Sequence, residues 1–424
     1  MHRCLSKFFF VFIFLLLCIT RAESQTDSLK LTFPQAEKIF LQKNFELLAQ
    51  QYNVDINKAL VQQNRYWDNP VLNTDQNIYD GKFFRHDNQN GQVFVQIQQL
   101  IKTAGKRNKL IQLSKDNVLS AEQQFNDVMR NLRFILNNDL SALHQLFQTN
   151  KIYQAELGSL QALVQGMDAQ LQAGNISQRE NIRIKSLLFG LQADQADLQR
   201  QITDMEKEVH TMLRVGNDKV IVPEFDTAKN FGINIPPFTL PQLWDTAAIN
   251  RPDIQLAQTN FISQQHNLAY QKALAVPDLT AGVEFDQRSN YAPNYYGLAL
   301  SIPIPVLNKN KGNIHAARIS ILQAENGILQ IQQQVKDEVS AAWQKLKISS
   351  DLQKLVTPAF NSKYEELMQN ITRSYQLHQV GLVEFIDFFD AYKDARTKQL
   401  QLESDLRNAI AELNFTTGSN LIKQ

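Results

Sequence analysis

Two kinds of hydrophobic pattern follow one another twice along the chain. Segment 279–286 alternates apolar residues with polar or small ones, which is typical of a strand with one apolar face. Elsewhere apolar residues recur every three or four positions, and that spacing places them on one stripe of a straight helix. The clearest helical example comprises Phe125, Met129, Leu132, Leu136, Leu140, Leu143 and Phe147. The patterns therefore predict long helices packed side by side, together with a small amount of sheet.

Three short motifs recur at an offset of 207 positions, which indicates a tandem duplication. The motif that begins at Thr32 recurs at Thr239, and Pro70 recurs as Pro277. The third match aligns Gly174-Asn175-Ile176 with Gly381-Leu382-Val383. The predicted organisation is a signal peptide at 1–24, a first repeat at 25–220, a linker at 221–237 and a second repeat at 238–424.

Each repeat is predicted to contain a helix, two strands, a very long helix, a tight turn and a returning helix. Thr32 and Thr239 can each begin the first helix with a capping box, because a glutamine follows three positions later. A proline interrupts the second long helix at Pro358. The predicted bounds are helices at about 33–64 and 240–274, strands at about 71–79, 92–99, 279–286 and 295–302, long helices to about 165 and 378, and returning helices at 176–214 and 382–417.

The alternating strands leave two possibilities open. Strands of a membrane barrel and half-buried strands of a soluble sheet show the same period of two. No stretch after the signal peptide reaches the roughly 18 apolar residues of a membrane helix. Because four strands cannot close a barrel, a place in the membrane would require several copies, and three copies would supply twelve strands.

Residues 1–24 have the features of a secretory signal peptide. Arg3 and Lys7 precede an apolar run of about a dozen residues, which is too short to span a bilayer. Both cysteines, Cys4 and Cys18, lie in this segment, so no disulfide or thiolate site is expected in the mature chain. Lipidation of Cys18 and retention of the segment as an anchor helix are the alternatives.

The composition and the absence of known motifs argue against enzymatic and nucleic-acid-binding functions. The chain has 43 Lys and Arg residues against 42 Asp and Glu residues, so it lacks the basic excess of a nucleic-acid-binding protein. Its seven histidines are scattered, and no glycine-rich phosphate loop, nucleophile elbow or cluster of zinc ligands occurs. We therefore expect no enzyme, no cofactor, no metal site and no nucleic-acid partner.

The signal peptide, the duplicated unit and the segment 380–391 together resemble the TolC-like outer-membrane efflux protein family. The compact length is more similar to the CusC, CzcC and OprM branch. The resemblance implies a mainly α fold with a small transmembrane β part. Three protomers would form a twelve-stranded β-barrel, with four strands from each, that continues into a periplasmic α-helical barrel.

The resemblance also implies a function and partners. A homotrimer in contact with outer-membrane lipid would conduct small solutes or metal cations passively out of the cell. It would work with a periplasmic adaptor, also called a membrane fusion protein, and with an inner-membrane RND-type pump. Two alternatives stay open at this point: a soluble periplasmic coiled-coil scaffold or adaptor, and the outer-membrane duct of a type I protein secretion system.

Three sets of site residues follow from the resemblance. In the family, aspartates six and nine positions after a tip glycine surround the periplasmic entrance, and Asp387 and Asp390 hold those positions after Gly381. The spacing of Glu384 places it on the same helix face as these aspartates, and a ring of carboxylates favours cations. The alternative is an ordinary solvent-exposed helix face without a functional role. The tips that would contact the adaptor are Gly174, Asn175, Ile176 and Ser177, and Gly381, Leu382 and Val383. Strand residues expected to face the channel lumen are Gln96, Gln98, Thr280 and Glu284.

Overall fold

A computed structural model describes residues 27–85, 87, 90–225, 235–355 and 358–423. The predicted signal peptide with both cysteines, and part of the predicted linker, lie outside these residues. The strands are β1 (Asp27–Leu31), β2 (Val71–Gln76), β3 (Val93–Ile101), β4 (Lys219–Pro223), β5 (Leu279–Arg288) and β6 (Pro293–Ser301). The helices are α1 (Phe33–Lys43), α2 (Phe45–Gln63), α3 (Lys106–Gln172), α4 (Gln178–Leu213), α5 (Leu240–Asn250), α6 (Pro252–Leu274), α7 (Lys311–Gln353), α8 (Pro358–Gln376) and α9 (Leu382–Thr417).

The first helix of each half is divided in two, so the single helices expected at 33–64 and 240–274 are wrong. Asn44 separates α1 from α2 because its side-chain oxygen accepts hydrogen bonds from the amides of Glu46 and Leu47 and so begins a new helix. Arg251 separates α5 from α6 because a residue before proline avoids the helical conformation, and Pro252 follows it.

The long helices have the predicted character. Helix α3 contains 67 residues, which corresponds to a length of about 100 Å. Its counterpart is interrupted as Pro358 predicted, since α7 ends at Gln353 and α8 begins at the proline. The returning helices α4 and α9 contain 36 residues each.

Strands β2, β3, β5 and β6 form one antiparallel sheet in that order. The hairpin of the first half and the hairpin of the second half are therefore joined through β3 and β5. Helices α2, α3, α6 and α7 lie side by side in the same lateral order as the strands they adjoin. Helix α2 contacts α3, α3 contacts α6, and α6 contacts α7. The sheet and the helical layer thus share one lateral order.

Two short strands were not predicted. Strand β1 pairs in parallel with β4, which begins just before the segment expected to be a linker. Five-residue strands give a weak alternating signal, so the sequence alone did not reveal them. Ile221 of β4 is fully buried, and the carbonyl of Pro223 lies 3.0 Å from Nδ1 of His144 in α3. The pair fastens the start of the first half to its end.

Three apolar clusters hold the helices together. One joins α1, α3 and α4 with β1 and β4, and a second joins α5, α7 and α9. The third lies where α3 ends and where α4 and α9 begin. Among the described helices, none is both long enough and apolar enough to cross a membrane.

We expect Asn44→Ala to lower the free energy of unfolding by about 1–2 kcal/mol, because it removes a helix cap and the 3.1 Å hydrogen bond that Asn44 donates to the carbonyl of Met212. Denaturant unfolding in detergent, followed by circular dichroism, measures the change. Asn326→Ala, within the exposed surface of α7, is the matched control and should have little effect. Equal losses in the two variants would contradict the assigned role of Asn44.

Candidate functional site

The four predicted lumen residues project from the same face of the four-stranded sheet. Gln96 of β3 lies directly opposite Glu284 of β5, and opposed residues of antiparallel strands share a face. Gln98 and Thr280 lie an even number of positions from these two on the same strands, so they project to the same side.

Polar side chains on this face are hydrogen-bonded to one another across the strands. Asn73 Nδ2 donates to Gln96 Oε1 at 3.2 Å, and Gln96 Nε2 donates to Glu284 Oε2 at 2.9 Å. Gly297 completes the row on β6, where a Cβ atom would lie 2.9 Å from Oε1 of Glu284. The glycine therefore makes room for the carboxylate, a role that the sequence pattern did not reveal.

The opposite face of the sheet is apolar and uncovered. One register row crosses all four strands through Leu72, Ile97, Val283 and Leu298. These side chains are 62%, 50%, 60% and 72% exposed, respectively. In the next row, Phe285 and Tyr296 lie in ring contact at 5.1 Å. A continuous apolar face of this kind marks a surface that is covered by another apolar phase or by a partner.

Both lateral edges of the molecule also expose apolar side chains. Within the described chain, β2 and β6 each pair with one strand, and α2 and α7 end the helical layer on the same two sides. The exposed apolar residues of α2 follow one helical stripe, and three of those on α7 lie in its first half. They are Phe45, Tyr52, Ile56 and Leu60 on α2, and Ile319, Leu322 and Leu329 on α7, while Ile348 and Leu352 are exposed near the end of α7.

The two helix turns differ in which residue ends the helix. Gly174 ends α3 in the left-handed conformation, with φ at 74°. His378 holds that position after α8, with φ at 55°, and in both turns the next amide donates at 2.9 Å to a carbonyl five positions earlier. Gly381 has φ at −78° and immediately precedes α9. Gly381, which the sequence motif matched with Gly174, therefore has a different backbone conformation from Gly174.

These conformations change the alignment of the two halves. Gly381 holds the position before α9 that Ser177 holds before α4, and these residues are 204 positions apart, not 207. Each is followed three positions later by a glutamate, Glu180 or Glu384. Connections of different length within the halves shift the offset, so the match between Gly174 and Gly381 aligned residues with different backbone roles.

The predicted tip residues divide into two groups. Ile176 and Leu382 are half-buried and pack on the third apolar cluster, beside residues such as Phe385. The others are exposed at the end of the molecule; they are Gly174, Asn175, Ser177, Gly381 and Val383. The structure therefore brings the two tips together through their apolar members and leaves the polar and small members at the surface.

The three predicted entrance carboxylates lie at the start of α9. Glu384 and Asp387 are exposed and Asp390 is half-buried. Phe385 and Phe389 on the other side of this turn are buried in the third cluster. The two phenylalanines thereby anchor the beginning of α9 in this cluster, and Glu384 and Asp387 remain exposed.

Sequence analysis missed Glu156 of α3, a buried carboxyl near Asp390. Its carboxylate oxygens accept no hydrogen bond from the residues that the structure describes. A single glutamate within a polar helix carries no pattern that would have distinguished it. Over the described positions, no three His, Cys, Asp or Glu side chains are grouped so that they could bind a metal ion.

Comparison with known proteins gives a match to one family model over part of the chain and shows a shared fold over most of it. Residues 38–213 match the model of the family described as outer membrane efflux protein. No curated protein matches the chain in sequence.

Similar solved structures include CusC, with a TM-score of 0.70 and 16% identity over 91% of this chain and 92% of that one. The open MtrE outer membrane channel of Neisseria gonorrhoeae has a TM-score of 0.68 and 16% identity, over 92% of this chain and 89% of that one. A membrane protein from Pseudomonas aeruginosa has a TM-score of 0.74 and 13% identity, over 91% and 90% of the two chains. Identities this low show a shared fold.

The tip conformations predict opposite effects for two glycine substitutions. Gly174→Ala should lower the free energy of unfolding by about 1–2 kcal/mol, because a side chain is strained in the left-handed conformation. Gly381→Ser should raise it by about 0.5–1 kcal/mol, because serine caps the helix and restricts the unfolded chain. Thermal or denaturant unfolding measures both, and a loss of stability in Gly381→Ser would contradict the revised alignment.

Proposed function

We propose that the chain is a member of the outer membrane efflux protein family, whose model matches residues 38–213, and that three copies form a duct through which solutes leave the cell across the outer membrane. Proteins of this family are channels of the outer membrane and not enzymes, and the helical part of the fold extends into the periplasm. The uncovered apolar face of the sheet is the single observation that carries the proposal.

That apolar face suits lipid. Its exposed row of leucine, isoleucine and valine crosses the full width of the sheet, while the hydrogen-bonded polar row lies on the reverse side. In a membrane channel the lipid-facing and water-facing residues alternate in this way along each strand. A soluble periplasmic scaffold would leave the same face in water, so the duct is the better explanation.

The free edges support assembly from several copies. Backbone groups at a sheet edge cost several kcal/mol each in hydrocarbon when they have no partner, so β2 and β6 must pair with strands of other copies. The same two sides of the molecule carry the exposed apolar residues of α2 and α7. A head-to-tail contact that pairs β6 with β2 and packs α7 on α2 closes into a ring, and three copies supply twelve strands.

The tips are proposed to meet the partners. Channels of this family work with a periplasmic adaptor and an inner-membrane pump. The exposed tip residues lie at the end of the molecule opposite the sheet, where an adaptor would approach. The likeness to CusC, MtrE and similar channels favours a pump of the RND class as the inner-membrane partner.

The entrance carboxylates are proposed to narrow the periplasmic end. In a trimer, Glu384, Asp387 and Asp390 would be repeated around the axis near the tips. A ring of carboxylates attracts cations, so passage of small solutes or metal cations suits this end of the duct. The sequence of this chain does not specify the exported solute, because the pump selects what enters the channel.

A matched pair of lysine substitutions tests the duct. Ile97→Lys should prevent stable insertion, because a charge on the lipid face costs about 2–4 kcal/mol near the membrane midplane. Gln98→Lys should insert normally, because its side chain projects from the water-facing side. Outer-membrane fractionation after a carbonate wash measures insertion, and equal recovery of both variants in the membrane would contradict the assignment of the two faces.

Conductance tests the entrance. Asp387→Ala/Asp390→Ala should give larger and less cation-selective openings in planar bilayers than the unsubstituted channel, because carboxylates that narrow and charge the entrance are removed. Asp204→Ala/Glu208→Ala removes two exposed carboxylates from α4 and serves as the control. If both double variants conduct like the unsubstituted channel, the duct would stand and the entrance assignment would fall.

A further inference from the structure

We propose that Glu156 of α3 is a pH-sensitive contact against α9, and that ionisation of its carboxyl loosens the packing of these helices near the tips. This inference rests on the proposed duct, because it states the pH range in which the helices at the proposed entrance separate.

The surroundings of Glu156 suit an uncharged carboxyl. The residue is 6% exposed, and neither of its carboxylate oxygens accepts a hydrogen bond from a described residue. Leu157, its neighbour on α3, belongs to the third apolar cluster together with Phe389 of α9. A carboxylate enclosed without hydrogen bonds is costly, whereas the protonated acid is tolerated.

The nearest cations are already engaged by other carboxylates. Lys393 Nζ lies 3.4 Å from Asp194 of α4, and an Arg396 Nη2 lies 3.2 Å from Glu365 of α8. Each cation is thus held by another carboxylate, and neither donates a hydrogen bond to Glu156. The charged and titratable groups that act on Glu156 or line the groove beside it are Asp390, Tyr392, Lys393, Asp394 and Arg396 of α9, Glu365 and Arg373 of α8, and Lys151 and Tyr153 of α3.

The electrostatic balance favours the proton. Burial raises the pKa of Glu156 from 4.5 to about 7, and Asp390 and Asp394 act in the same direction, whereas Lys393 and Arg396 oppose the shift. A group with such a pKa changes charge close to neutral pH. Because Asp390 is one of the proposed entrance residues, the ionised Glu156 would repel the same turn of α9 that lies at the entrance.

Water has a route to the carboxyl when the helices part. A groove of about 760 Å³ borders Glu156 between α3, α8 and α9. Its walls include Tyr392 and Phe389 as well as the charged residues Lys151, Glu365, Arg373 and Arg396. Separation of α3 from α9 would extend this groove to the carboxylate and hydrate it.

The direction of the pH effect follows from the two protonation states. Below about pH 4.5 the acid is protonated whether enclosed or hydrated, so the packed state keeps its full stability. Between 4.5 and 7 the enclosed group retains its proton while a hydrated one loses it, and each pH unit favours separation by about tenfold per chain. Above about 7 both forms are ionised and the effect no longer grows. From pH 5.5 to pH 7.5 the ratio of packed to separated chains should therefore fall by about 20-fold.

Channel recordings at the two pH values test the inference. The unsubstituted protein should open more often at pH 7.5 than at pH 5.5. Glu156→Gln should remain mostly closed at both values, because the amide cannot ionise. Glu156→Asp keeps an ionisable group and should retain a pH response. Glu366→Gln, an exposed position on α8, is the control and should behave like the unsubstituted channel. A Glu156→Gln channel with an unchanged pH response would overturn the inference and leave the duct intact.

A second measurement does not require conduction. Amide hydrogen exchange over residues 382–396, corrected for the intrinsic effect of pH, should be faster at pH 7.5 than at pH 5.5 in detergent. The difference should disappear in Glu156→Gln. If the protein never conducts but shows this difference, the proposed duct fails and the pH-sensitive contact stands; if exchange shows no such difference, the contact fails.

Discussion

The pairing of backbone groups at the edges of one small sheet is the constraint on which the rest of the molecule depends. Within the described chain, β2 and β6 each have a single neighbour, and one face of the sheet exposes a row of apolar side chains. In water a lone protomer leaves the apolar row exposed, and in lipid it leaves the backbone groups of its two edge strands unpaired. The helical layer repeats the lateral order of the strands, so a contact that pairs the strand edges also brings α2 and α7 together. The edges of the sheet and of the helical layer therefore support the proposed assembly from several copies in the same way.

At the other end of the molecule, apolar packing and charge act on the same short stretch of α9. Phe385 and Phe389 pack the start of the helix against α3 and α4, while Glu384 and Asp387 are exposed and Asp390 is half-buried. Glu156 adds a buried carboxyl to the same contact. The tightly packed phenylalanines and the buried carboxyl thus lie where the helices of the proposed entrance would have to separate. The stability of the tips and the proposed opening of the duct therefore depend on the same contact.

The two halves share an order of elements without sharing one offset. Both begin a helix at a threonine with a capping box, and both end with a helix of 36 residues that begins after an extended residue and ends at a left-handed one. Between these points the β2–β3 connection is longer than the β5–β6 connection, and the turn after α8 uses His378 where the other uses Gly174. Helix ends therefore identify equivalent positions in the two halves better than glycines do, because several residue types can adopt the backbone conformation at a cap.

The sequence by itself determined the long helices, the four strands of the main sheet and the polar face with Gln96 and Glu284, because periods of 3.6 and 2 are local properties of the chain. It also contains the causes of the two helix divisions, which are the capping residue Asn44 and Pro252. Only the tertiary structure decided the pairing of β1 with β4, the backbone role of Gly381 and the enclosure of Glu156. Those features depend on contacts between residues far apart in the chain, and burial or strand pairing leaves no periodic trace when a single residue or a five-residue strand is involved.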